Sequence, residues 1–255
     1  CYLYILKPLA LIAMEKYALF LSLALLSEII GTVSGFGSSI LFVPIASLFF
    51  DFKTVLGITA VFHVFSNLSK IVLFRKGINK EIALKLGIPA VVFVMIGAWL
   101  TTLIPTEKLS LFMNMAIVLL SIYLMINFNK PIQQNNTNLY IGGTVSGFLA
   151  GLVGTGGAIR GITLAAFQLP KEIFIATSAL IDLGVDSSRA AIYVGSGYFK
   201  KEYLFLIPFL IGISILGSYI GKLILVKTSE RIFRFIVLGV IIITALFQVI
   251  TVMNK

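Results

Sequence analysis

Two triplets of polar residues stand inside otherwise apolar sequence. His63, Asn67 and Lys70 are spaced i, i+4, i+7 in the run 54–74, a spacing that puts all three on one helical face. Asp182, Asp186 and Arg189 repeat that spacing in the run 172–195. An ionisable residue near the centre of a bilayer costs at least about 2.5 kcal/mol and by default marks a pathway or a relay. Carboxylates and an imidazole can load and release protons, which assigns His63, Asp182 and Asp186 to proton coupling. Asn67, Lys70 and Arg189 can hold the oxygens of an anion, and a guanidinium fork fits a sulfonate or carboxylate better than an ammonium does. Plainer readings stand beside these. Lys70 lies five residues before Arg75 and can snorkel to the interface. The aspartates can form structural ion pairs, Asp186 with Arg189 or Asp182 with Lys70.

Two glycine-rich breaks belong with the triplets: Gly35-Phe36-Gly37-Ser38-Ser39 and Gly154-Thr155-Gly156-Gly157-Ala158. Irregular backbone at membrane depth is tolerated only where protein or a cavity surrounds it. A helix restarting after such a break presents free N–H groups and about half a positive charge, a ready site for an anion. The candidate substrate-binding positions are therefore Gly35, Gly37, Ser38, Ser39, Gly154, Gly156, Gly157, Arg160, Asn67, Lys70 and Arg189. The alternative for the glycines is close helix packing. Arg160 falls in the first turn after the second break, where the helix dipole opposes a cation. Asp182, Asp186 or a bound anion must compensate it.

The elements that position these residues are hydrophobic helices. Of 255 residues 59% are hydrophobic and 12% charged, against about 25% charged in a soluble domain. Apolar runs cover about 17–50, 54–74, 82–104, 109–128, 139–169, 172–195, 203–226 and 232–253, and about 20 apolar residues cross a bilayer as a helix. The reading is an all-α integral membrane protein with one membrane domain, 17–255, after a lead-in at 1–16. Met14-Glu15-Lys16 resembles an ordinary start, and no cleavage-site pattern follows. The net charge is +10, and the basic residues sit mostly in short loops, where they meet lipid headgroups and set orientation. The expected surroundings are a lipid bilayer and a small anionic substrate, with no nucleic acid. Cys1 is the one cysteine, which excludes a disulfide framework and a Cys-based metal site. No cofactor is expected.

Shifting the second half over the first by 119 positions lays Pro208 on Pro89, Gly154 and Gly156 on Gly35 and Gly37, and the second polar triplet on the first. This predicts two homologous repeats of about four hydrophobic segments, about 17–128 and 139–253, each opening with a Gly-broken helix or re-entrant hairpin. A shorter match, Gly-Thr-Val-Ser-Gly-Phe at 31–36 and 143–148, fits a shift of 112 and small-residue helix contacts. If both broken runs cross, eight spans result. If both are hairpins, each half has three full spans and the halves are inverted, a recurring transporter design. Both schemes give one side a basic majority.

Together these residues describe a transporter of small anions rather than an enzyme. The enzymatic alternative would use Asp182 with Asp186, or a serine with His63. Both aspartates lie on one helix, and His63 has no evident serine partner. A non-transporting membrane subunit is the third reading.

The order of the motifs resembles the TauE/SafE sulfite exporter family. Gly35-Phe36-Gly37-Ser38-Ser39 with Val43-Pro44, Gly151-Leu152-Val153-Gly154-Thr155-Gly156-Gly157, and Ala176-Thr177-Ser178 carry the resemblance, which extends from about residue 17 over nearly the whole chain. Ala158 and Thr163 stand where the family often has glycine and proline. The resemblance implies transport of sulfite, sulfonates or other small organic or sulfur-containing anions across the bacterial inner membrane.

Overall fold

In the computed structural model, residues 2–35, 37–75, 77–105 and 133–229 are described, with single positions at 115, 119, 232, 233 and 235. The expected spans 109–128 and 232–253, and Phe36 of the first break, lie outside the described residues. The described chain is helical: α1 (Tyr2–Ser34), α2 (Ser39–Ala46), α3 (Phe52–Leu73), α4 (Lys80–Leu103), α5 (Asn136–Val153), α6 (Gly157–Ala166), α7 (Lys171–Gly195) and α8 (Leu206–Val226), with a short 3-10 turn at Lys201–Tyr203. No strand occurs among the described residues. Among the described residues four segments are long and apolar enough to cross a membrane: Glu15–Ser34 within α1, Phe52–Leu73, Lys80–Leu103 and Leu206–Val226. The outer faces of α4 and α8 are apolar, with Ile88, Val92, Trp99, Leu216, Tyr219 and Leu223 each about half exposed.

The contacts give the direction of each helix. Gly31 on α1 abuts the backbone of Ser38, while Phe20 meets Phe42 and Phe50, and Tyr17 meets Phe50. The chain after the first break therefore runs back along α1 to the level where that span starts. The second broken run behaves alike: Gly156 abuts Ser146, and Gly142 abuts Thr163, so α6 returns along α5. Both broken runs fold back as helical hairpins. Two short helices explain why, since 8 and 10 residues rise only about 12–15 Å, half a bilayer core.

Small residues set the closest helix pair. A Cβ on Gly143, Gly147 or Gly151 would fall 2.2, 2.1 and 2.2 Å from the carbonyls of Leu86, Ala90 and Val94. The constant offset makes α4 and α5 parallel, their backbones nearly touching, as small-xxx-small faces allow in lipid. Gly217 and Gly221 of α8 seat Glu28 and Thr32 of α1 in the same parallel sense. Of the short 31–36/143–148 match, Gly143 and Gly147 serve the α4–α5 contact, whereas Gly31 abuts the first break and Gly35 packs against Phe174. Between these two pairs run α3 and α7, antiparallel, joined by Gly57 against Tyr198 and by Asn67 to Asp186. Asp51 caps α3 through the Thr54 amide at 3.1 Å and accepts from Lys200 Nζ at 2.9 Å, tying the two halves at one end of the bundle.

Candidate functional site

Both breaks need glycine. Gly37 has φ +80° and Gly154 φ +85°, left-handed angles that a side chain resists. Gly154 ends α5, and Gly156 opens α6 with its Cα against the Ser146 carbonyl, 1.9 Å from where a Cβ would stand. Ser38 opens α2. The N-cap residues Ser38 and Gly156 make no side-chain capping bond to α2 or α6.

The two breaks face one small cavity. Gly37, Ser39, Gly154, Gly156 and Gly157 line it, and His63, Asn67, Arg160, Asp182, Asp186 and Arg189 complete it. Its volume is about 10 Å³ for the centre of a water, room for a single molecule. Gly35 and Lys70 line an adjoining space with Gly31, Ser178 and again Gly37, Asn67 and Asp182. Ser38 lies directly behind, fully buried. The structure therefore brings together every residue singled out for substrate or proton, from four helices and both breaks.

Within the site each cation has a carboxylate. Arg160 pairs with Asp182, and its Nε donates to Ser178 Oγ at 3.3 Å. Arg189 donates from Nε and Nη2 to Asp186 Oδ1 at 2.7 and 2.6 Å. Its Nη1 donates to the carbonyls of Gly154 at 2.7 Å and Ala150 at 3.1 Å, which ties the guanidinium to the C-terminal end of α5. Asn67 Nδ2 donates to the other Asp186 oxygen at 2.7 Å. Arg189 is 1% and Arg160 3% exposed, so these pairs form in a low-dielectric setting.

Lys70 departs from both sequence readings. It neither snorkels nor joins Asp182. It is 3% exposed and pairs with Glu28 at 2.9 Å, donating also to Ser66 Oγ at 2.7 Å. Glu28 is the charged residue of this cluster that the sequence reading passed over. It is fully buried and accepts from Ser38, Ser66 and Ser218 at 2.6, 2.7 and 2.9 Å. The signal was present: Glu28 is the one charged residue in the run 17–50. His63 does have a serine partner in space. Ser38 Oγ lies 2.8 Å from His63 Nε2, and His63 Nδ1 lies 2.7 Å from the Thr59 carbonyl.

The sum is three cations, Lys70, Arg160 and Arg189, against three carboxylates, Glu28, Asp182 and Asp186, around two helix N-termini. Cations and carboxylates are equal in number here, and the set becomes more anion-attracting as soon as a carboxylate is protonated or displaced. No group of His, Cys, Asp and Glu among the described residues could hold a metal ion.

No curated protein and no solved structure matches the chain. The model of the sulfite exporter TauE/SafE family matches residues 19–247, a stretch containing both breaks, both polar triplets and the cavity between them. The helices that can cross a membrane and the polar centre they enclose are those of a membrane transporter, and the chain belongs to the TauE/SafE sulfite exporter family.

Proposed function

We propose that the protein carries sulfite, sulfonates or related small oxyanions across a bacterial inner membrane by alternating access, with proton coupling. The observation that carries this reading is the junction of both glycine breaks with Arg160 and Arg189 in one buried cavity. An entering oxyanion replaces Asp182 on Arg160 or Asp186 on Arg189, and the uncapped amides of α2 and α6 supply further donors. Protons taken up by Asp182, Asp186 or His63 weaken the internal pairs and admit the anion. The cavity has room for one water, so the present arrangement is an occluded state and transport requires it to open to each side in turn.

Inverted repeats supply the two openings in this account. The end of α1 at Ser34 and of α5 at Val153 are 119 residues apart, as are the starts of α3 at Phe52 and α7 at Lys171. Asn67 bonds Asp186 across the same interval, so matched positions meet where a pseudo-two-fold axis would pass. The parallel pairs α4 with α5 and α8 with α1 are then equivalent. Within a single membrane domain, the two hairpins would rock about that axis around a fixed site.

The enzymatic alternative receives one specific observation, the contact of Ser38 with His63. The order of groups argues against it. In a hydrolytic triad the acid orients the far imidazole nitrogen. Here Glu28 contacts the serine, and the far nitrogen contacts the Thr59 carbonyl.

Counterflow in sealed proteoliposomes tests the proposal. Vesicles loaded with unlabelled sulfite should accumulate labelled sulfite transiently, and sulfonates should compete. Equal tracer entry in protein-free and protein-containing vesicles, for sulfite and for sulfonates alike, would refute it.

A further inference from the structure

Proton counting around Ser38 gives a result that the ion pairs do not. Three hydrogen bonds form a chain: Glu28 Oε2 to Ser38 Oγ at 2.6 Å, Ser38 Oγ to His63 Nε2 at 2.8 Å, and His63 Nδ1 to the Thr59 carbonyl at 2.7 Å. A carbonyl only accepts, so Nδ1 carries a hydrogen. The serine hydroxyl supplies one hydrogen and neutral imidazole one, but three bonds need three. The third proton sits on His63 Nε2 or on Glu28 Oε2.

We propose that Glu28, Ser38 and His63 form a proton-binding site whose proton passes between imidazole and carboxylate, and that loading Glu28 releases Lys70 for the transported anion. The transfer balances. The Nε2–H bond of imidazolium breaks as a bond to Ser38 Oγ forms. The serine's original proton moves to Glu28 Oε2, leaving neutral imidazole and a carboxylic acid. No net charge moves out of the chain, yet Lys70 loses its bonded counter-charge and keeps Ser66 as its hydrogen-bond partner, with Asp182 across the adjoining space. Lys70 borders the space beside Gly37 and Asn67, where an anion would restore the balance.

The surroundings fit this role. Lys70 and Ser66 face Glu28 from α3, Ser38 from the break, Ser218 from α8 and Thr32 from α1 itself. Arg189, Lys70 and Arg160 act against a positive charge on His63, which favours passing its proton to Glu28, and two of the three are paired with Asp186 and Asp182. His63 borders the main cavity, which gives the proton a route out when that cavity opens. Because Ser38 opens α2, the proton's position is felt at the base of the first hairpin. The linkage to an anion rests on the transport reading above; the proton site does not.

Two measurements on the purified full chain separate the two. The first is infrared difference spectroscopy on acidification from about pH 8 to about pH 5, the range in which histidine sites titrate, without added anion. A protonated-carboxyl band should appear, shift with 13C-glutamate labelling and vanish in Glu28→Gln. Absence of that band, together with unchanged imidazole ring bands, overturns the proton site. The second is calorimetric binding of methanesulfonate, whose own charge is constant over that range. Affinity should rise by up to about tenfold per pH unit as pH falls, with one proton taken up per anion, as reciprocal linkage requires. Glu28→Gln should flatten that slope. Ser38→Ala, which keeps every charge but cuts the chain, should flatten it too and serves if Glu28→Gln does not fold. A Glu28 band with a flat binding slope in the wild type overturns the linkage. If the wild type binds methanesulfonate at no pH, the linkage falls together with the transport reading for sulfonates, and the infrared result alone decides the proton site.

Discussion

Removing the Arg189 side chain tests how the second break is held. Arg189→Leu leaves Asp186 buried with Asn67 as its remaining partner, and breaking a buried ion pair from one side costs about 3–5 kcal/mol. It also takes a donor from the carbonyls of Ala150 and Gly154. Ala150 keeps the Gly154 amide, so the Gly154 carbonyl bears most of that loss, about 1–3 kcal/mol. Together the change should cost roughly 4–8 kcal/mol by these terms, enough to unfold many domains or to leave α5 frayed at its end. Adding Asp186→Leu removes the stranded charge. The double variant should recover about 3 kcal/mol or more, while the carbonyl loss persists. Arg189→Lys keeps a cation near Asp186 but lacks the planar fork that reaches both carbonyls. It should fold, with weaker anion binding. Equilibrium unfolding in mixed micelles, read from Trp99 fluorescence, supplies the free energies, and calorimetry the anion affinity. An Arg189→Leu protein within about 1 kcal/mol of the parent, well below the cost of a stranded buried charge, would refute the reasoning.

Gly147→Ala places a methyl carbon 2.1 Å from the Ala90 carbonyl. It should force α4 and α5 apart and lower unfolding stability by about 1–3 kcal/mol, the usual range for overpacking, as seen in the same micelle assay. Asp182→Asn and Asp186→Asn should each alter the pH profile of sulfite counterflow, and two unchanged profiles would make both aspartates structural. At the end of the bundle, burial raises the Asp51 carboxyl, but the Lys200 and Thr54 bonds outweigh it and hold Asp51 below its ordinary value. Its contribution is therefore present near neutrality and is lost as pH falls through that depressed value. Asp51→Ala should destabilise by about 0.5–2 kcal/mol, the range for a lost N-cap, and a pH-unfolding series should show the difference vanishing in acid.

The helices and breaks were legible because composition and glycine placement are local signals. The polar faces of α3 and α7 were legible because charges are rare in apolar helices. Partnerships were not. The spacing of Asp182, Asp186 and Arg189 along α7 says nothing of what faces them, and Arg160 reaches Asp182 from another element. Lys70 looked able to snorkel because its distance from Arg75 measures sequence, whereas Glu28 comes from α1. Glu28 itself obeyed the rule that singled out the others. Ser38 was unreadable as the partner of His63, because a hydroxyl beside a glycine break has many ordinary uses. Hydropathy measures the length of a run and not its direction, so the hairpins emerged only from contacts such as Phe20 with Phe42 and Phe50.

The most direct test of a single site reached from both sides is its accessibility. Ser39→Cys places a thiol on the cavity wall, in a chain whose native cysteine is changed by Cys1→Ser. In proteoliposomes of known orientation, a membrane-impermeant thiol reagent should label Ser39→Cys from either side, and saturating sulfonate should slow labelling from both. Labelling from one side only, unaffected by any small oxyanion, would contradict alternating access at the junction of the two breaks.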